Sequence, residues 1–301
     1  MDGLDKGLST NTIHRQVAAL AMVITCGNDV PLAHHPMVRS FLKGANNARP
    51  PTVHRYPSWD LHQVLQALVS SLFEPIDTCL FKQLSMKVAF LVAVTSAKRI
   101  SELHALSVRK DLCIFHNDRV TLRLDPSFVP KVNSLYHRSQ EIILPDFCPN
   151  PSNDIEMQWN KLDVHRALHC YIQRTSSSVC VLKSEALFVS FHPSSLGQKV
   201  SSSTIGRWIR ACISLAYQTR SLQAPRHITA HSTRGAATSA VWVTQACIEE
   251  ICRAATWSSP SSFVHHYKMD KYASSTASFG CRVLEHTLTS DGTQAQTASP
   301  P

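Results

Sequence analysis

The chain has 301 residues, 44% hydrophobic and 17% charged, which places it among globular proteins able to bury a sizeable core. Lys and Arg number 30 against 21 Asp and Glu, a formal charge of +9 that suits a polyanionic partner, although the cations are scattered singly (Arg39, Lys43, Arg49, Arg55) as on any solvated surface. The longest apolar run, Val88 to Val94, is too short to span a bilayer, MDGLDKGLST lacks a signal-peptide pattern, and ten cysteines without a CxxC spacing read as reduced core residues rather than a disulfide framework or metal site.

In chain order, helical spacing is predicted over Thr12 to Thr25 and Pro36 to Lys43, followed by a Pro-rich linker from Arg49 to Pro57. Asp60 is placed to cap a helix that carries Leu61, Val64, Leu65, Leu68 and Leu72 inward, and Thr78 to open a longer apolar helix reaching Ser96. From Asp111 the period becomes two: Leu112 and Ile114, then Val120, Leu122 and Leu124, then Glu141 to Leu144, which predicts a small antiparallel sheet. Helical spacing returns at Val164, Leu168, Tyr171 and Ile172; a short buried strand is expected at Ala186 to Phe191. A helix from Ser203 and another opening at Thr244 follow. The fold class is therefore mainly α with a small antiparallel β-sheet. His165 and His169 lie one helical turn apart but have no third metal ligand nearby in sequence.

Three segments carry candidate chemistry. In HITAHSTRGAATSA, His231 and Arg234 share one face at the start of an Ala-rich helix, where a guanidinium fork, an imidazole and the helix dipole suit a phosphate. In TSAKRISELHAL, Arg99 sits between a long apolar helix and a new one carrying Ile100, Leu103 and Leu106 inward. In ATWSSPSSFVHHY, Trp257 ends an apolar helix, and a Ser/Pro-rich turn leads to Tyr267, whose phenolate two arginines would favour. Taken singly each has a plainer reading: Arg99 as a charge suited to a helix C-terminus, and His231 with Arg234 as a capping or surface pair.

Their order, R-I-S-E-L, then H-x-x-R, then a Trp and a closing Tyr, resembles the tyrosine recombinase (phage-integrase) family. Within it, FVPKVNS and WSSPSSFVHHY are most similar to recombinases of eukaryotic DIRS- or Ngaro-like retroelements. The resemblance implies DNA cleavage and rejoining through a covalent 3′-phosphotyrosine in site-specific recombination or integration of a mobile element. Tyr267 is then the nucleophile, with Tyr272 a less favoured substitute. Arg99 and Arg234 stabilise the phosphate, His231 accepts the proton of Tyr267, Lys131 between two strands protonates the leaving oxygen, Trp257 supports the nucleophile helix, and Glu102 is the supporting acid. It implies no metal, no cofactor and no small-molecule substrate, and as partners double-stranded DNA and further copies of the chain, as a tetramer on DNA. The expected site of action is the nucleus. It also divides the chain into 1–56, a helical DNA-binding (core-binding) segment and linker shorter than the family's clamp domain; 57–288, the catalytic domain; and 289–301, a disordered tail rich in Thr, Ser, Gln and Pro. Two other readings stay open: a decayed or domesticated DNA-binding protein, and a relaxing enzyme of the type IB topoisomerase kind.

Overall fold

The computed structural model describes residues 2–26, 30–50, 59–178, 184–226, 228–244, 246–257, 259–260 and 263. The chain separates into two compact units, Met1–Arg55 and Tyr56–Pro301. Among the described residues no helix is long and apolar enough to cross a membrane.

The first unit opens with α1 (Asp2–Asp5) and α2 (Thr10–Leu20), the latter capped by the Ser9 hydroxyl, which accepts the Thr12 N–H. The helix stops at Leu20, short of the expected Thr25, because Thr25 belongs to an antiparallel pair, β1 (Thr25–Cys26) with β2 (Val30–Pro31). After it, α3 spans Pro36–Ala48, with Pro36 at its first turn, where a missing N–H costs nothing.

In the second unit α4 (Leu61–Leu68) is capped by Asp60, whose Oδ1 accepts the His62 N–H at 2.9 Å. The next helix, α5 (Phe81–Ser96), starts three residues later than Thr78, since the Thr78 and Cys79 amides both bond to the Pro75 carbonyl in a separate turn. Every residue of α5 from Leu84 to Ala93 is buried, as expected of a helix that is apolar all round. It is the axis of the core, packed by four later elements, β5 (Glu141–Pro145), α9 (Val164–Ser178), α10 (Ser202–Gln218) and α11 (Ser232–Val243), while α4 packs on α10.

One residue of that buried stretch is charged: Lys87, fully buried, donates to Glu74 Oε1 at 2.5 Å and to the Leu68 carbonyl at 2.9 Å. Arg166 of α9 grips both Glu74 oxygens, at 3.2 and 3.1 Å. Burial alone would push the Glu74 carboxyl up, but the Arg166 hydrogen bonds and the Lys87 charge outweigh it and hold the group below its ordinary range.

After the short α6 (Ile100–His104), β3 (Cys113–Phe115), β4 (Arg119–Arg123) and β5 form the antiparallel sheet in the order β3-β4-β5, with Cys113 opposite Leu122 and Val120 opposite Leu144. Val120, Leu122, Ile142 and Leu144 face the core, as the alternation requires. The β4–β5 connection contains α7 (Leu135–Arg138), and α8 (Asp154–Asn160) precedes α9. Residues 186–189 are buried as anticipated but form no ladder. They make isolated bridges on two sides, Ser107 with Ala186 and Val189 with Lys199, so the predicted strand is an irregular crossing segment. The helix expected from Thr244 begins instead as α12 (Ile248–Ala254), where the Glu250 carboxylate accepts the Cys247 N–H. Seven of the described cysteines are free thiols; of these Cys79 and Cys148 are half-buried and Cys247 exposed, so only part of the set is core.

His165 also departs from expectation. Asp146 and Asp163 bring their oxygens within 4.8 Å of it and of each other, a grouping invisible in the sequence spacing. Its members already serve one another: the Asp163 carboxylate accepts the Phe147 and Arg166 amides, and Asp146 pairs with His165 Nδ1 at 3.3 Å. His169 stacks edge-on to Phe115 instead.

Candidate active site

The site is assembled from the end of α5, the start of α11, the end of α12 and the β4–β5 connection. At the first, Ser96 ends the helix and Ala97 turns left-handed (φ 50°), which sends Lys98 inward and leaves Arg99, in extended conformation, as the residue capping α6. Glu102, buried, accepts the Arg99 N–H at 2.5 Å and lies 3.7 Å from its guanidinium. Glu102 thus fixes both the backbone and the side chain of Arg99, whose side chain keeps 23% of its surface open.

At the second, His231 occupies the cap position of α11 and Arg234 its first turn. The helix start is pinned from the opposite end of the unit: Trp59 Nε1 donates to Ser232 Oγ at 2.8 Å, and Ser232 Oγ donates to the Thr229 carbonyl. Arg234 is entirely buried. Its Nη2 donates to the Ala255 carbonyl and its guanidinium lies 4.5 Å from the centre of the Trp257 ring, a desolvated cation–π contact.

At the third, α12 ends in a Schellman turn: the Trp257 N–H bonds to the Cys252 carbonyl and the Thr256 N–H to that of Arg253, with Thr256 left-handed (φ 53°). Trp257 then stacks on Phe263 with centroids 5.9 Å apart, and Phe263 meets Trp242 edge-on. Ala97, Ala237, Ile251, Cys252, Ala255, Trp257 and Phe263 form a second apolar cluster beneath the site, separate from the main core, so one packed layer holds three of its segments. Lys131, in the β4–β5 connection, is exposed and follows the buried Pro130.

Electrostatics tie these segments together. His231 is pushed down to about 4, first by burial and then by the positive charges of Arg234, Arg99 and Lys131. Three of the sequence-predicted residues, Arg99, Lys131 and Arg234, therefore bear on a fourth, His231, with Trp257 against Arg234 and Glu102 against Arg99. Among the described residues the Trp257 ring meets Arg234 and Phe263, and the segment around Tyr267 on which it is expected to pack lies outside them. Tyr267, its neighbours His265 and His266, and Tyr272 lie outside the described residues. Lys98 was missed by sequence reasoning. It is buried beside these groups, its Nζ donating to Thr256 Oγ1, and burial together with the Arg234 and Arg99 charges brings it down to about 8 despite the opposing pull of Glu102. The signal was a second cation next to Arg99, but nothing in the sequence tells an inward lysine from a solvated one.

Neighbouring cations with few counter-charges suit an anion with several oxygens, and a neutral imidazole among them suits proton transfer.

No family model matches the chain. No curated protein matches it in sequence. Among solved structures it is similar to the Tn1549 transposon integrase in complex with transposon right-end DNA, at 15% identity over 94% of this chain and 82% of that one, with a TM-score of 0.54. It is also similar to the XerH site-specific recombinase bound to a palindromic difH substrate in a post-cleavage complex, at 12% identity over 91% of this chain and 68% of that one, with a TM-score of 0.52. At such identities the likeness is one of fold: mainly helical with a small antiparallel three-stranded sheet, matching the tyrosine recombinase catalytic fold.

Proposed function

We propose that this chain cleaves and rejoins double-stranded DNA with Tyr267 as nucleophile. The observation that carries the reading is the gathering of Arg99, Lys131 and Arg234 about a buried His231, whose imidazole is brought down to about 4 by burial first and by these charges second. A buried Arg234 beside a half-buried Arg99 is costly by itself and is relieved by a phosphodiester.

In the proposed reaction the phenolic oxygen of Tyr267 attacks phosphorus and its proton passes to His231, which is neutral at pH 7 and gains basicity as the phosphate anion enters. The bond from phosphorus to the 5′-oxygen breaks, and Lys131 supplies that oxygen with its proton. Arg99, held by Glu102, and Arg234, held by the Ala255 carbonyl, face the charge growing on the non-bridging oxygens. The phosphotyrosine conserves the energy of the broken bond, so a free 5′-hydroxyl reverses the steps without ATP. Phe263, packed against Trp257, stands four residues before Tyr267 in the chain.

The biological setting proposed is integration or recombination of a mobile element of the DIRS or Ngaro kind, in the nucleus, by copies of the chain assembled as a tetramer on DNA. It is supported by the FVPKVNS and WSSPSSFVHHY segments and by the DNA-bound integrase and recombinase that share the fold. In single-turnover cleavage of a nicked duplex, Arg99→Ala and Arg234→Ala are each expected to lower the rate on the order of 10²–10³-fold, as removal of one oxyanion donor does. Unchanged rates would sink the assignment.

A further inference from the structure

Lys98 has no part in the reaction proposed above, yet it is among the most deeply buried cations of the second unit, with 5% of its surface exposed. Its direction is set by the backbone, because the left-handed Ala97 turns residue 98 toward the interior while Arg99 stays at the surface of the site. Its ammonium donates to the hydroxyl of Thr256. Thr256 is itself unusual. It takes the left-handed position of the Schellman turn that glycine normally fills, where a β-branched residue is strained. On either side of it stand the two groups that hold Arg234: the Ala255 carbonyl and the Trp257 ring.

The charged groups facing the Lys98 amine are Glu102 from α6, which attracts it, and Arg99 and Arg234, which repel it; Thr256 is its neutral partner from the α12 turn. A hydrocarbon side chain would fill the same space without desolvating a charge next to two others. We infer that Lys98 is a positioning residue of the phosphate site, tying the Ala255–Trp257 turn to the Arg99 segment and adding a buried cation behind the two arginines. The inference rests on reading this cluster as a phosphate site. Through Thr256 it keeps the Arg234 acceptor and the Trp257 ring in register with Arg99, adding a polar link to the apolar cluster that packs Ala97 with Ala255 and Trp257. Its charge adds to the potential that an incoming phosphate meets.

The experiment follows the amine directly. Lysine labelled with ¹³C at Cε, with the Lys98 resonance assigned from Lys98→Arg, is titrated with and without a nicked duplex oligonucleotide. The free protein is expected to give a midpoint at about 8, and the duplex to raise it by roughly one unit or more, since an anion nearby favours the ammonium. A midpoint at the ordinary lysine value, or one that the duplex leaves in place, overturns the inference. In parallel, Lys98→Met and Thr256→Val are expected to slow cleavage on the order of tenfold or more, as loss of supporting hydrogen bonds around a reactive centre does, and Lys98→Arg to recover most of the rate. Loss in Lys98→Met with no recovery by Lys98→Arg counts against the role of the charge. The two readings separate cleanly: a duplex-shifted midpoint without cleavage removes the strand-transfer function and leaves Lys98 in an anion site. Cleavage with an unmoved midpoint does the reverse.

Discussion

The Glu74–Lys87–Arg166 network fixes α5, and with it the Arg99 segment, so its removal gives a sharp asymmetry. Glu74→Gln keeps shape and volume but leaves the Lys87 ammonium, fully buried, with only the Leu68 carbonyl and a neutral amide oxygen. Breaking a buried pair in this way costs about 3–5 kcal/mol, because the orphaned charge cannot reach water. Lys87→Met removes the buried charge instead, and Glu74 keeps both Arg166 hydrogen bonds and the Ile76 N–H at 3.1 Å. Its cost is expected to be about 0–2 kcal/mol, because the loss of two hydrogen bonds is offset by ending the burial of the charge. The double variant is expected to be more stable than Glu74→Gln alone. At about 2–4 °C per kcal/mol for a domain of this size, the Glu74→Gln midpoint falls roughly 6–20 °C in thermal unfolding followed by circular dichroism. The Arg166 and Lys87 charges hold the Glu74 carboxyl below its ordinary value. The network's contribution is therefore intact above pH about 4.5 and fades as the pH falls. A Glu74→Gln variant within 1 kcal/mol of the parent, or a Lys87→Met variant equally damaged, would refute the buried-charge reasoning.

The same physics governs two other groups. His231 has a folded-state value depressed from 6.5 to about 4, so the unfolded chain binds its proton first on acidification; the stability tied to neutral His231 is complete above pH 6.5 and lost between there and about 4. An NMR titration of the His231 ring is expected to find that midpoint, and one near 6.5 would show that Arg99, Lys131 and Arg234 do not converge on it. For Lys98 the sign is the same and the window higher: the penalty of its buried charge builds as the pH falls from 10.5 to about 8 and is complete below that. Burial of its charge opposes folding below pH about 8, so Lys98→Met is expected to unfold at higher urea at pH 7 than the parent, by on the order of 1–3 kcal/mol, while cleaving more slowly. A variant that loses both stability and activity would make Lys98 an ordinary structural residue.

Local pattern made much of this fold legible. The unbroken apolar run of α5, the period-two alternation at Val120, Leu122, Ile142 and Leu144 and the Asp60 cap each follow from one element's own sequence. Arg99, His231, Arg234 and Trp257 sit at helix boundaries that capping and apolar spacing mark, but it is their order along the chain, and no one of them alone, that singles out the candidate site. What escaped depends on partners remote in sequence. The 186–189 segment has strand composition, but its neighbours, at 106–107 and 199–200, offer one bridge apiece rather than a ladder. The late start of α5 depends on a turn closed on the Pro75 carbonyl, and that of α12 on Cys247 and Glu250 rather than Thr244. Lys98 reads in sequence as one more cation, and only the left-handed turn at Ala97 makes it interior. The grouping of Asp146 and Asp163 about His165 likewise appears only when β5 and α9 are brought together.

The most direct test of the proposed strand transfer is the covalent intermediate itself. Incubation with a nicked suicide duplex, whose cleaved 5′ fragment diffuses away, is expected to trap the chain on a DNA 3′ end, with mass spectrometry of the digested adduct locating the link on Tyr267. Tyr267→Phe is expected to bind the same duplex and form no adduct. An adduct that persists in Tyr267→Phe, or a link mapped to Tyr272, would contradict the assignment of the nucleophile; tight binding by the parent chain with no adduct at all would contradict the reaction.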